Sequence, residues 1–284
     1  MLYLNRFFRP KKNDIAYSVG LKVIDEFPFR LIVGDDQPEV WIHDFGVVDR
    51  SGLEINVGET KQRFQAAFEQ IWRGDVENDG FNMLITRAGL AWRQVVVLRA
   101  YAKYLRQAQS PFSQAYMETT LAANPEIARH LVEVFEQRFD PAIAAEDRNE
   151  DAVAMVTRAL EMVASLDEDR IIRRFLNAMQ ATLRTNFYQP DESGAPHRYI
   201  SLKIDSMAID DLPLPRPAVE IFVYSARMEG IHLRGGKVAR GGLRWSDRRE
   251  DFRTEVLGLV KAQQVKNTVI VPVGAKGGFV LKNA

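Results

Sequence analysis

Three basic residues near the C-terminal end, Arg240, Lys266 and Lys276, are spaced with glycines so that they could assemble a site for an anion. Gly241-Gly242 follows Arg240 directly, and Gly277-Gly278 follows Lys276 directly. Paired glycines let backbone come close to a ligand, so a cation just before each pair is set against whatever that backbone touches. Between the pairs, residues 250–265 have helical periodicity and residues 268–271 read as a short apolar strand. Lys266 falls at their junction, where α/β proteins commonly bind ligands. Each feature alone has a plainer reading: glycine pairs make turns, and a lone Lys276 is a turn lysine on the surface. The stretch is not a phosphate-binding P-loop, because GxxxxGK[ST] is absent. What points to a pocket is the three cations and their glycines taken together and in order.

The longer pattern, ARGGLRWSDRREDFRTEVLGLVKAQQVKN and then PVGAKGGF, resembles the substrate-domain signature of glutamate dehydrogenases. It is most similar to that of the large-subunit bacterial NAD-dependent class, and the rest of the chain resembles the region preceding the catalytic core there. The resemblance implies oxidative deamination of L-glutamate to 2-oxoglutarate and ammonium, with NAD as hydride acceptor, by a cytoplasmic enzyme that is a homo-oligomer at full length. It also implies that the chain stops at Ala284, before the family's catalytic aspartate and nucleotide-binding domain. NAD would then be bound mainly by a domain outside this chain, and the chain alone would be inactive.

Carried over residue by residue, the resemblance implies that Arg240 meets the side-chain carboxylate, beside the backbone of Gly242. Lys266, with Gln263 one helical turn earlier, would hold the α-carboxylate. Lys276 would be the catalytic lysine that polarises the carbonyl or activates water. Charge-assisted hydrogen bonds to carboxylates gain strength in such a partly dry pocket. The short hexameric enzymes have lysine where this chain has Arg240, but a guanidinium can still grip a carboxylate with two hydrogen bonds. Relatives acting on apolar amino acids have an apolar residue there, so Arg240 argues for an acidic substrate. The spacings, 26 residues from Arg240 to Lys266 and 10 from Lys266 to Lys276, differ from those of the short enzymes. An ungapped comparison puts Gln264 in the α-carboxylate position, whereas the Lys-Asn pair of the motif favours Lys266.

Composition narrows the classes. With no cysteine among 284 residues, thiolate catalysis, disulfides and Cys-ligated metal are excluded. No run approaches the ~20 apolar residues that span a bilayer, and the first 12 residues lack the apolar core of a signal peptide. Lys plus Arg equals Asp plus Glu at 38 each, yet residues 227–284 hold 12 basic against 5 acidic residues. A basic end could steer an anion, or could simply pair with the acidic remainder. The Arg-, Lys- and aromatic-rich residues 92–106 could suggest nucleic acid, but an amphipathic helix explains them without a motif.

The expected architecture is α+β and multidomain: an ACT-like α+β segment (1–58), a helical region (59–189) and the start of an α/β substrate domain (197–284). Residues 2–8, 21–24, 29–33 and 40–45 read as strands and 13–19 as a helix closed by Gly20, with a turn at 34–36. A small-molecule regulatory site there is one reading and a structural sheet is the other. His43-Asp44 reads as a hydrogen-bonded pair at a strand end. From residue 59 the period becomes helical, with Phe64, Phe68, Ile71 and Trp72 on one face and Gly74 as the stop. Asn78 or Asp79, Ser113 and Asn124-Pro125 read as helix starts, residues 147–150 lead into a further helix, and 166–168 separate a last one extending to Leu183. Residues 189–196 read as a linker, followed by strands at 199–204, 219–224 and 231–233. The alternative to an enzyme portion is a non-catalytic regulatory or oligomerisation module that binds 2-oxoglutarate or a similar dicarboxylate.

Overall fold

The computed structural model describes residues 12–32, 40–52, 54, 56–144, 151–236, 241–266 and 274–282. The chain is mixed α/β and forms two compact units, Met1–Trp92 and Arg93–Ala284.

In the first unit, helix α1 (Lys12–Ser18) ends at Gly20, whose φ of +89° glycine adopts without strain. Strands β1 (Leu21–Leu31) and β2 (Val40–Asp49) form an antiparallel ribbon. Where the pattern suggests two strands within 21–33, the structure has one, with a register shift between Val23 and Asp25. Pro28 is tolerated inside it because both strands of a ribbon are edges. The strand expected at 2–8 and the turn at 34–36 lie outside the described residues. His43 does not pair with Asp44, since successive strand residues point to opposite faces. Its Nδ1 instead lies 2.6 Å from Glu26 Oε1 across the ribbon. Helix α2 (Val57–Arg73) stacks Phe68 on Trp72 and stops at Gly74, at φ +73°. Asp79 caps the turn at Gly80–Asn82 that leads into α3 (Met83–Arg87).

The second unit begins with α4 (Trp92–Gln107), α5 (Gln114–Ala123), α6 (Pro125–Phe139), α7 (Asp151–Leu160) and α8 (Leu166–Gln180). Ser113 caps α5, accepting from Tyr116 N at 3.1 Å. Asn124 precedes α6 but does not cap it: its Nδ2 donates to Thr120 O at 2.9 Å and to Glu168 Oε2 at 3.0 Å. Pro125 lacks an N–H, so the first turn has one donor fewer to satisfy. Residues 147–150 lie outside the described residues. The expected break at 166–168 is instead the first turn of α8, capped by Ser165, which accepts from Glu168 N.

A six-stranded sheet follows: β3 (Thr182–Thr185), β4 (Ile200–Ile204), β5 (Val219–Tyr224), β6 (Met228–Arg234), β7 (Leu243–Trp245) and, after helix α9 (Phe252–Lys266), β8 (Ala275–Leu281). Its order is β3-β4-β5-β6-β8-β7, antiparallel except for the parallel β7–β8 pair. Leu183, expected on the last helix, is therefore on β3. Residues 189–196 close into a turn inside this unit, where Asp191 Oδ1 accepts from Ser193 N and Ala195 N. The expected strand 268–271 lies outside the described residues.

Helix α4 is buried almost all round and lies between helices and sheet. Tyr101 meets Phe135 of α6 edge-on and shares a 2.8 Å hydrogen bond with Thr182, while Tyr104 packs on Phe222 of β5. Burial pushes the Tyr101 phenol well up from its ordinary value. Beneath the sheet, Arg253 in the first turn of α9 meets Glu220 of β5, and both side chains are fully buried. Arg253 Nε donates to Oε2 at 2.9 Å and Nη2 donates to Oε1. Gln107 of α4 accepts from Arg253 N at 3.1 Å and donates to Arg249 O at 3.0 Å. Burial opposes the guanidinium charge, but the Glu220 carboxylate outweighs it and holds the Arg253 pKa above its ordinary value.

Arg253→Met leaves a carboxylate buried without its cation, so urea unfolding should show a loss of about 3–5 kcal/mol. Arg253→Met combined with Glu220→Leu should recover most of that loss. A double variant as unstable as the single would mean that the pair is not what is being measured.

Candidate functional site

The start of β7, the end of α9 and the start of β8 meet at one edge of the sheet. Gly277 N donates to Gly242 O at 2.9 Å, and Leu243 pairs with Gly277 in parallel register. Side chains alternate along β8, so Gly274, Lys276 and Gly278 face α9. A Cβ at Gly278 would stand 2.5 Å from Val256 Cγ2, and one at Gly274 would stand 3.2 Å from Gln263 Oε1. Lys276, between them, is half-buried, and its Nζ lies 3.5 Å from where a Cβ at Gly242 would be. Gly242, Gln263 and Lys276 are thus brought together on one side of the sheet edge. Among the described residues, Lys276 makes no ion pair or hydrogen bond.

Of the other expected site residues, Lys266 ends α9 one turn beyond Gln263. Its side chain and that of Gln264 lie outside the described part, so the choice between them stays open. Arg240 is outside the described residues, two positions before Gly242. The neighbouring carboxylate, Glu255 of α9, is occupied by Arg244 Nε at 3.2 Å and by the Ser246 hydroxyl, which donates to it at 2.5 Å.

The two glycines of the second pair serve packing, which spacing alone does not disclose. Gly278 makes room for buried Val256. Gly277 makes room for Leu243 and for His232, whose Cδ2 would lie 3.1 Å from an added Cβ. His232 was passed over in the sequence, although its place between apolar Ile231 and Leu233 on a strand marks it as turned away from the core. Burial, and then the Arg234 charge, hold its pKa below the ordinary 6.5.

The unit β7–α9–β8 is the one parallel βαβ arrangement among the described residues. Residues 246–251, which join β7 to α9, contain no glycine, so they do not form the tight turn that brings backbone up to a dinucleotide pyrophosphate. This connection therefore lacks the glycine turn of a dinucleotide-binding βαβ unit. Among them, no group of three or more His, Asp or Glu could hold a metal ion, and no helix is long and apolar enough to cross a membrane.

A lysine, a glutamine and glycine backbone are gathered where a helix ends beside a strand start, at one edge of the sheet. Residues 155–284 match the model of the bacterial NAD-glutamate dehydrogenase catalytic domain, 76–141 that of glutamate dehydrogenase helical motif 3, and 17–60 that of the glutamate dehydrogenase ACT3 domain. The chain is 53% identical over 266 residues to an NAD-specific glutamate dehydrogenase of Halomonas elongata, covering 93% of this chain and 16% of that protein. It is 54% identical over 271 residues to one of Pseudomonas aeruginosa, covering 94% and 17%. It is 53% identical over 274 residues to one of Mycobacterium tuberculosis, covering 93% and 17%. The chain belongs to the bacterial NAD-glutamate dehydrogenase family. It spans about a sixth of the length of these relatives.

Two glycine substitutions should separate packing from site. Gly278→Ala forces a methyl into Val256, a buried β-branched neighbour, and should cost about 1–3 kcal/mol in urea unfolding. Gly242→Ala adds a methyl at ordinary contact distance from Lys276 Nζ, so stability should hold while ligand affinity falls. Equal losses of stability would show that both glycines serve packing.

The depressed His232 pKa carries a pH consequence with a definite sign. Above 6.5 the ring is neutral in both folded and unfolded chains and contributes nothing. As pH falls through that value, the unfolded chain takes up the proton first and the folded state is penalised. His232→Phe should therefore lose less stability than the wild type between about pH 7.5 and pH 5.5. Parallel losses in the two proteins would remove His232 from the account.

Proposed function

We propose that this chain is the part of an NAD-dependent glutamate dehydrogenase that receives the dicarboxylate substrate, in a whole protein that converts L-glutamate to 2-oxoglutarate and ammonium. The observation that carries the reading is Lys276 Nζ against the bare Gly242 backbone, on the same side of the sheet edge as Gln263. In this reading Lys266, or Gln264 in its place, holds the α-carboxylate together with Gln263, and Arg240 holds the side-chain carboxylate. Lys276 polarises the carbonyl or takes the proton of the attacking water. The small dicarboxylate is the proposed partner; a homo-oligomeric whole protein, a cytoplasmic location and the absence of nucleic-acid binding belong to the same proposal. So does the division into an ACT-like segment (1–58), a helical region (59–189) and an incomplete substrate domain (197–284).

The relatives' names supply NAD, and in this reading the site that holds it lies mainly in sequence outside this chain. No step of the reaction is therefore assigned to a cofactor on this chain. What this chain contributes is recognition: cations for the two carboxylates and an amine at the reacting carbon.

Titration calorimetry of the chain with 2-oxoglutarate tests the site. Loss of one charged contact to a carboxylate is worth roughly tenfold or more in affinity, so Arg240→Ala, Lys266→Ala and Lys276→Ala should each weaken binding by about that factor. Absence of binding by the wild-type chain would leave it a scaffold or an oligomerisation module. The chain mixed with glutamate and NAD should produce no NADH; measurable production would overturn the assignment of the cofactor site to sequence outside it.

A further inference from the structure

His232 lies on β6, with Gly277 of β8 as its cross-strand partner. Because Gly277 has no side chain, the imidazole lies over it. Its Nε2 comes within 3.6 Å of where a Cβ at Gly241 would stand. Gly241 leads into β7, on the far side of β8 from β6. One ring thus lies across the intervening strand and beside a glycine of each pair.

The two residues of the first pair face opposite ways. A Cβ at Gly241 would meet Ala275 O at 3.4 Å and His232 Nε2 at 3.6 Å, and a Cβ at Gly242 would meet Lys276 Nζ at 3.5 Å. The Gly241-Gly242 peptide thus has the imidazole and the Ala275 backbone on one side and the lysine amino group on the other. His232 Nδ1 is buried with no hydrogen-bond partner, so no hydrogen bond from that nitrogen orients the ring, which occupies the space left by the missing Gly277 side chain.

We propose that His232 is a positioning residue of the carboxylate site, holding the Gly241-Gly242 backbone against Lys276 from the reverse side of the sheet. The inference rests on the proposed carboxylate site for its functional meaning, though not for the geometry itself. A gap behind this peptide would let it move away from the amino group, and displacement of a binding group by about an ångström can cost up to a hundredfold in a precisely built site. The shape of the ring is what matters, so phenylalanine should stand in for it where alanine does not.

The test uses the intact chain with His232→Ala and His232→Phe. Competitive trinitrophenylation read by mass spectrometry gives the reactivity of Lys276 relative to Lys203 of β4. In His232→Ala that ratio should change by about tenfold, and affinity for 2-oxoglutarate should fall by a similar factor, with the thermal midpoint retained. His232→Phe should restore both. An unchanged ratio in His232→Ala overturns the proposal, as does a Phe variant no better than the Ala variant. A rise at Lys203 and Lys276 together with a lowered midpoint also overturns it, because general loosening would then suffice. If the wild-type chain binds no 2-oxoglutarate but the Lys276 ratio still changes in His232→Ala and recovers in His232→Phe, the carboxylate reading falls and the positioning role stands.

Discussion

The buried pair between Arg253 and Glu220 is the constraint on which the second unit depends. Taking two charges out of water costs several kcal/mol per ion, and only close geometry with further hydrogen bonds offsets that cost. Here the guanidinium gives two hydrogen bonds to one carboxylate, and Tyr104 adds its hydroxyl at 3.4 Å. Such a pair tolerates little sliding, unlike the apolar contacts of Phe252, Val256 and Val260 around it. It pins the first turn of α9 to the middle of the sheet, and Gln107 joins α4 to the same point. The far end of α9, which carries Gln263 and Lys266, is then set by the length and direction of a rigid helix.

The opposite end of that helix is fixed by the absence of side chains. At that far end a Cβ on Gly274 would meet Val260 O and Gln263 Oε1, each at 3.2 Å, while near the ion pair Gly278 brings β8 close enough that a single methyl would strike Val256. The helix is thus set against β8 by charge and close approach near its start and by close approach to Gly274 near its end. Lys276 lies between the two glycines on the same strand face. Close packing and a bare backbone are consequences of the same residues, so selection for one would maintain the other.

Much of the framework was legible because local rules decide it. Gly74 and Ser113 end and start helices by their own chemistry, and the structure uses both as read. Asn124 carried an equally strong capping signal and does otherwise, because Glu168 on another helix offers its amide a charged acceptor. β8 was not legible: Ala-Lys-Gly-Gly-Phe reads as a loop by propensity, and it is a strand because β6 and β7 pair with it on both sides. The central ion pair did leave a trace. Strand alternation in Val219–Tyr224 places Glu220 on the inward face with Phe222 and Tyr224, and an inward carboxylate demands a buried cation. Which of the many arginines would supply it was a question of tertiary structure.

The same bookkeeping of charges bears on the basic C-terminal end. A surplus of cations over residues 227–284 could have been a solvated face with each charge matched to a neighbour. Four of its five carboxylates are engaged: Glu229 with Lys103 and Lys282, Glu250 with Arg106, Asp251 with Arg248, and Glu255 with Arg244. Those pairings leave Lys276 half-buried and without a counter-ion among the described residues. Exposed pairs are worth little, so an exposed lysine without one would mean nothing. Lys276 differs from these in its place, since it lies between two strand glycines that pack on α9 and beside the Gly242 backbone. The local surplus of positive charge, the absence of a counter-ion among the described residues and the bare Gly242 backbone are the three observations on which the proposed dicarboxylate site rests.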